Sequence, residues 1–441
     1  MKGLVGLLIA GTVSKVGSVL TFLAIPWLVL VTTGSPSRMG LAAAAELLPY
    51  VLIGPLGAPL VDRIGPRRVS IVADLASAAV MAAVAFGQRG GFGVLLVLLV
   101  LAGALRGLGD CAKRVLLPST IAASGVDMTR ATTVYDGANR LAGLLGAALG
   151  GVLIAAVGAP RTVLLDGVSF VVCAVLVAAL VPARTTDTPA DAPPPEPYLA
   201  ALRGGVDFIR GNRLMLGILA MLFVTNLADQ ANAAVFVPVW VDEVLGSPEA
   251  LGWVSAAFGL GAVLGNLVFT ALAPRAPRYA VFTIGFLIGG SPRLAVMALS
   301  DSLTLVLAAA FVSGLAMAAV NPILAATMFE RVPAHLQARV LSLSNAIGFA
   351  GIPLGSLLGG WAVEHIGLTS ALLVFGACYL GATLLPVLSP GLWRQLDRLP
   401  AAPPAPHPRD RRPAGSVSAA GTAATDPHSA QDTLSASAPS G

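Results

Sequence analysis

Long apolar runs, cut by short polar breaks, fill nearly all of the first 390 residues. A helix crossing the hydrocarbon core of a bilayer needs about 20 largely apolar residues. By that ruler the chain divides into twelve spans: 4–31, 39–61, 69–87, 92–112, 131–157, 163–181, 214–241, 251–272, 279–299, 303–328, 340–363 and 370–388. The longest internal break opens with the tract PARTTDTPADAPPPEPY, whose prolines and small polar residues cannot build a core. It continues over 199–213 as a short amphipathic helix with Arg203, Arg210 and Arg213 at its polar edge. Beyond about 390 the chain is rich in Ala, Pro and Ser, and disorder is expected there.

Composition supports the bilayer. Hydrophobic residues are 56% of the 441 and charged residues 11%, whereas a soluble domain carries about 25% charge. The N-terminal MKGLVGLLIA imitates a signal peptide, but apolar sequence continues past Lys15 to Val31, which reads as a retained first span. The three lysines and 24 arginines outnumber 22 acids, for a net +5. Twenty of these cations fall in segments on the side of the termini and three (Arg38, Arg89, Arg161) on the other, while Lys15, Arg106, Arg140 and Arg293 lie within spans. That asymmetry predicts both termini in the cytoplasm, and it explains the basic balance without nucleic acid. Enrichment in Ala, Gly and Arg suggests a GC-rich bacterial genome, hence an inner membrane. Cys111, Cys173 and Cys378 are scattered in or beside apolar runs and read as small core residues rather than disulfides or metal ligands.

The two halves repeat. Arg130, Gly146, Gly150, Gly151 and Gly158 recur as Arg339, Gly355, Gly359, Gly360 and Gly367, each at an offset of 209, and Arg63 matches Arg275 at 212. A duplicated six-span unit predicts an all-α membrane protein of twelve transmembrane helices in two six-helix bundles, side by side around a cavity. The expected domains are residues 1–182, a central loop 183–213, residues 214–389, and a tail 390–441. Glycines at i, i+4 in spans 5 and 11 let another helix approach closely, for packing alone or for sliding during a conformational cycle.

An ionisable residue near the bilayer centre costs several kcal/mol. Glu46, about 12 Å into span 2 at 1.5 Å per residue, would take up and release a proton as a cavity opened to each side, or serve as a hydrogen-bonded structural acid. Asn226, Asp229 and Gln230 share one face of span 7, leaving Asn232 off it. They read as a substrate face or as polar glue between helices. Asp136 and Arg140 are an i, i+4 pair in span 5, either a structural ion pair or a gate. Lys15 could contact an anionic substrate or snorkel towards the interface. Asp74, Asp166 and Arg293 read as structural, and Asn321 and Asn345 as possible cavity residues.

The connection GPLGAPLVDRIGPRRV resembles the loop signature of the major facilitator superfamily, with Asp62, Arg63, Gly65, Arg67 and Arg68 in place and Ala58 where the leading glycine stands. IPWLVLVTTGSP, VPVWVDEVLG with AAFGLGAVLG, and VPAHLQARVLSLSNA resemble the exporter branch that includes the enterobactin exporter and macrolide-efflux proteins, over about 2–390. The resemblance implies that Asp62 and Arg67 form a latch, with Asp110 a possible partner, and that span 7 lines the central cavity. It implies that Arg106 transfers protons or partners a cavity acid. Ser18 and Ala147 depart from the branch pattern, where an acid and a proline are common.

Enzyme chemistry has little footing. Lys2, Lys15 and Lys113 are followed by Gly, Val and Arg, so no phosphate-binding loop exists. The four histidines show no metal-ligand spacing, and neither cofactor nor metal is expected; an intramembrane enzyme acting through Glu46 or Asp229 is a remote reading. The expectation is a monomeric secondary transporter exporting a drug-like compound, siderophore or metabolite in exchange for protons. Glu46, Asp229 and Arg106 would couple protons, and Asn226, Asp229, Gln230, Lys15, Asn321 and Asn345 would bind substrate. Asp62, Arg63, Arg67, Arg68, Asp110, Asp136 and Arg140 would gate. Uptake by proton symport and a non-transporting scaffold or sensor are the alternatives.

Overall fold

Inside a bilayer no water satisfies the backbone, so each apolar run must close its own hydrogen bonds, and helices result. The computed structural model describes residues 2–182, 206–272, 275–333 and 336–397. Its long helices are α1 (Lys2–Thr33), α2 (Pro36–Leu56), α3 (Pro66–Phe86), α4 (Gly91–Ser124), α5 (Met128–Val157) and α6 (Ala159–Leu180). The second half supplies α7 (Arg213–Leu245), α8 (Glu249–Leu272), α9 (Arg278–Leu299), α10 (Leu303–Arg331), α11 (Gln337–Ile366) and α12 (Leu368–Leu388). Eleven of these have the length and hydropathy to cross a membrane among the described residues. The twelfth, α2, has 21 residues, about 31 Å at 1.5 Å per residue. No strand occurs among the described residues.

Two expectations are revised. Helix α4 continues well past 112, because Lys113 is buried and paired inside the bundle instead of lying in a solvated connection. The chain is ordered past 390: Pro390–Trp393 and Arg394–Asp397 are short helical turns, and Trp393, 1% exposed, stacks on Phe282 with ring centroids 5.8 Å apart. Asp397 accepts the Tyr279 backbone N–H at 2.9 Å. The rest of the expected tail, 398–441, lies outside the described residues, as does 183–205. Of the expected amphipathic helix, 206–211 is helical, and Asn212 caps the start of α7 by accepting the Met215 N–H.

Each half packs within itself, α1 on α5 and α6, α2 on α4, and α3 on α4 and α6. In the second half α7 packs on α11 and α12, α8 on α10, and α9 on α10 and α12. The glycine repeat explains these contacts. A Cβ at Gly146 would lie 2.9 Å from the Val16 carbonyl of α1, and one at Gly355 would lie 2.0 Å from the Leu227 carbonyl of α7. The neighbouring glycines face across the halves. A Cβ at Gly151 would lie 2.5 Å from Gly252 N of α8, and one at Gly360 would lie 2.4 Å from the Pro36 carbonyl of α2. Both seams sit at the ends of the helices away from Lys2. There Glu364 of α11 accepts from Ser35 Oγ (2.7 Å) and Ser37 N (2.9 Å), covering the exposed N–H groups that open α2. Gly158 and Gly367, with φ of +84° and +79°, turn α5 into α6 and α11 into α12 without a loop.

Three helices of the second half lose regularity. Helix α7 contains two π turns, Asn232–Phe236 and Val241–Leu245. Helix α9 breaks at Gly290, where a Cβ would collide with the Tyr379 ring, and α10 breaks between Met317 and Val320. Such interruptions frequently accompany functional sites in membrane helices.

Candidate functional site

A cavity of about 490 Å³ lies where those interruptions converge. Asn226, Asp229 and Gln230 line it, as the i, i+3, i+4 spacing predicts, together with Asn321 of α10 and Arg293 of α9. Asn232 lines it too, although straight-helix geometry turns it away; the π turn that begins at Asn232 changes the register. Its Oδ1 is buried without a partner among the described residues. Phe258, Phe286, Met297 and Met317 supply apolar wall. A few polar groups in a largely apolar hollow of this size suit a drug-sized organic molecule.

The polar stripe has two jobs. Asp229 is bonded to Arg293, whose guanidinium lies 5.8 Å from the Phe258 ring centroid. Tyr379 is close enough to act electrostatically on the same carboxyl. Asn226 Nδ2 donates to the Gly348 carbonyl at 2.9 Å and Gln230 Nε2 to Ser356 Oγ at 3.2 Å, so both amides also tie α7 to α11. Arg140 of α5 reaches the cavity from the other half. With the Asn266 amide turned to satisfy its neighbours, its oxygen accepts from Arg140 at 2.7 Å. The expected partner Asp136 has no described side chain.

The first half holds a second cluster. Arg106 Nη1 lies 2.7 Å from Glu46 Oε1, and Nη2 lies 3.5 Å from Asp166 Oδ2. Thr21 donates to Asp166 Oδ2 at 2.5 Å and Ser169 to Oδ1 at 3.0 Å. Small residues make the room. A Cβ at Gly103 would lie 1.9 Å from the Glu46 carbonyl, and one at Gly17 would lie 2.4 Å from Asp166 Oδ1. Helix α4 thereby sits against the backbone that carries Glu46, three residues from Arg106.

Farther along α4, Asp110 accepts from the Tyr50 hydroxyl at 3.1 Å, and Lys113 bonds Asp74 at 2.9 Å. The expected latch residues are dispersed. Asp62, Arg63 and Arg68 are exposed, while Arg67 donates to the carbonyls of Val181 (2.7 Å) and Ala178 (2.6 Å) at the end of α6. Lys15 and Asn345 are exposed and do not line the 490 Å³ cavity.

Asp166 and Arg293, read as structural from sequence, belong to the two ionic networks; Thr21, Ser169 and Tyr379 join them with no earlier signal. A charge balance could have found the two ionic groups. Every acid deep in a span needs a cation, and Arg106 and Arg293 are among only four cations within spans.

Residues 4–406 match a protein-family model described as transmembrane secretion effector. The multidrug efflux pump Tap of Mycobacterium tuberculosis is 30% identical over 404 residues, covering 90% of this chain and 95% of that protein. Macrolide efflux protein A of Streptococcus pyogenes is 22% identical over 375 residues, covering 82% and 90%. Among solved structures, the nucleoside transporter NupG superposes with a TM-score of 0.73 at 12% identity, covering 88% of this chain and 99% of that one.

Proposed function

The chain belongs to the major facilitator superfamily, in the transmembrane secretion effector family, and from that membership we propose that it exports a small organic molecule in exchange for protons. The observation that carries this is the 490 Å³ cavity, bordered by Asp229, Asn226, Gln230 and Asn232 where α7, α9 and α10 are interrupted. In this reading both termini are cytoplasmic, following the cation asymmetry, and the membrane is the inner membrane of a bacterium. The glycine seams then close the outer side, and the conformation is the one that loads cargo from the cytoplasm. The two halves act as the bundles that rock during alternating access.

Glu46 carries the proton in this scheme, Arg106 partners it, and the second-half cavity holds the cargo. The relatives named as efflux pumps support export over uptake. The test is proton flux in everted membrane vesicles, followed with a pH-sensitive dye as a panel of antibiotics and siderophores is added. Export by antiport predicts collapse of the pH gradient in the wild type, with loss of the response in Glu46→Gln. Accumulation of cargo in right-side-out vesicles driven by an inward proton gradient would overturn the direction. A response that survives Glu46→Gln would move the proton site away from Glu46.

A further inference from the structure

Two buried carboxylates share one guanidinium in the first half. The side chains of Asp166 and Glu46 are 0% and 5% exposed, and that of Arg106 is 12% exposed. With both acids ionised the trio carries an uncompensated negative charge away from water, which is costly. The two acids are not equivalent. Asp166 accepts from Thr21 and Ser169, one hydroxyl on each oxygen, and Gly17 leaves its space free. Among the described residues Arg106 alone bonds Glu46. Two hydroxyl donors favour the charged form of Asp166, where Glu46 has no such donor among the described residues. Other charged or titratable groups face the trio: Tyr50 of α2 and Asp110 of α4 act on Arg106, and Lys15 of α1 and Arg114 of α4 lie on the same side.

We infer that Asp166 is the fixed counter-charge of the proton cycle, a positioning residue that receives Arg106 whenever Glu46 is neutralised. The inference rests on the proton-exchange reading and extends it. The Glu46 carboxylate takes a proton from hydronium and becomes a neutral acid, and water leaves. Arg106 then has one anion to face, and its 3.5 Å contact with Asp166 tightens while the 2.7 Å contact with Glu46 loosens. Release of the proton to water on the other side restores the starting pair. Arg106 stays protonated and Asp166 stays ionised throughout. Because Glu46 is on α2 while Asp166 and Ser169 are on α6 and Thr21 on α1, the exchange links protonation of the helix that meets α11 to the packing of its own half.

The test needs no cargo. Infrared difference spectra of the purified protein in lipid, recorded through a pH titration, report the C=O stretch of a protonated carboxylic acid. The expected band disappears in Glu46→Gln and remains in Asp166→Asn. In Asp166→Asn, Glu46 gains the whole of Arg106 and loses a repelling neighbour, so the midpoint moves to lower pH by about one unit or more. Thr21→Val moves it the other way, because an Asp166 with one donor fewer draws Arg106 harder. Loss of the band in Asp166→Asn would make Asp166 the carrier and overturn the inference. Midpoints unmoved in both variants would reduce Asp166 to a structural acid, with the same result. Thr21→Val keeps the test available should Asp166→Asn not fold. Absence of compound-driven proton flux in wild-type vesicles, with the band titrating as described, would sink the antiport reading and leave the arginine exchange standing.

Discussion

Alanine at Gly151 or Gly360 should open the far end of the protein without damaging either half. At Gly151 the added Cβ would lie 2.5 Å from Gly252 N and 2.7 Å from the Glu249 carbonyl. At Gly360 it would lie 2.4 Å from the Pro36 carbonyl and 3.2 Å from Gly40 Cα. Ordinary contact begins at 3.4 Å, so the nearest backbone atom at each seam is about 1 Å too close. Overpacking of this kind costs about 1–3 kcal/mol. Since the clash exists only while the halves touch there, the cost falls on one conformer and shifts the equilibrium about 5- to 150-fold towards the other. The assay is electron–electron double resonance between spin labels at Arg161, in the first turn of α6, and Asp301, in the connection after α9, both exposed. A longer-distance population should grow in Gly151→Ala and again in Gly360→Ala. Gly143→Ala, which meets nothing within 4 Å, should leave the distribution as in the wild type. An unchanged distribution in both seam variants would refute the assignment of these glycines to a seam that opens.

Lys113→Ala should lower thermal stability in detergent by about 3–5 kcal/mol, because it strands the buried Asp74; a change near that of the exposed Arg68→Ala, within about 0.5 kcal/mol, would return Lys113 to a solvated connection. Asp229→Asn and Arg293→Gln should each destabilise, while the double variant should cost less than their sum, a coupling of about 0.5–3 kcal/mol in a double-mutant cycle read by thermal unfolding. Trp393→Ala should cost about 3–5 kcal/mol in the same assay, whereas additive behaviour with truncation after Asp397 would show the stub and the later tail to be independent.

The number of the long helices was legible from the chain itself. Runs such as 163–181 or 370–388 can be solvated only by lipid or by other apolar helices, and a helix is the form that satisfies their backbone. The repeat was legible too, but what its glycines touch was not: Gly146 and Gly355 abut a helix of their own half, while Gly151 and Gly360 abut one of the other. Asp229 was legible as a cavity residue because helical spacing is local information. The partners were not. Arg293 and Asp166 meet Asp229 and Arg106 at sequence separations of 64 and 60, and composition is silent on which of several helices will stand beside which.

Asn232 shows the same division within one helix, since a regular α7 turns it away and the π turn returns it to the cavity. Lys113 shows it at a helix end, where hydropathy stops at 112 and only the buried Asp74 carries the helix onward. Hydrophobicity and backbone hydrogen bonding act along the chain, so the sequence by itself determined that this is a membrane protein of long helices in two repeated halves. Charge pairing and close approach at glycine act between segments, so which acid holds which arginine, and where the halves touch, was decided by the tertiary structure alone.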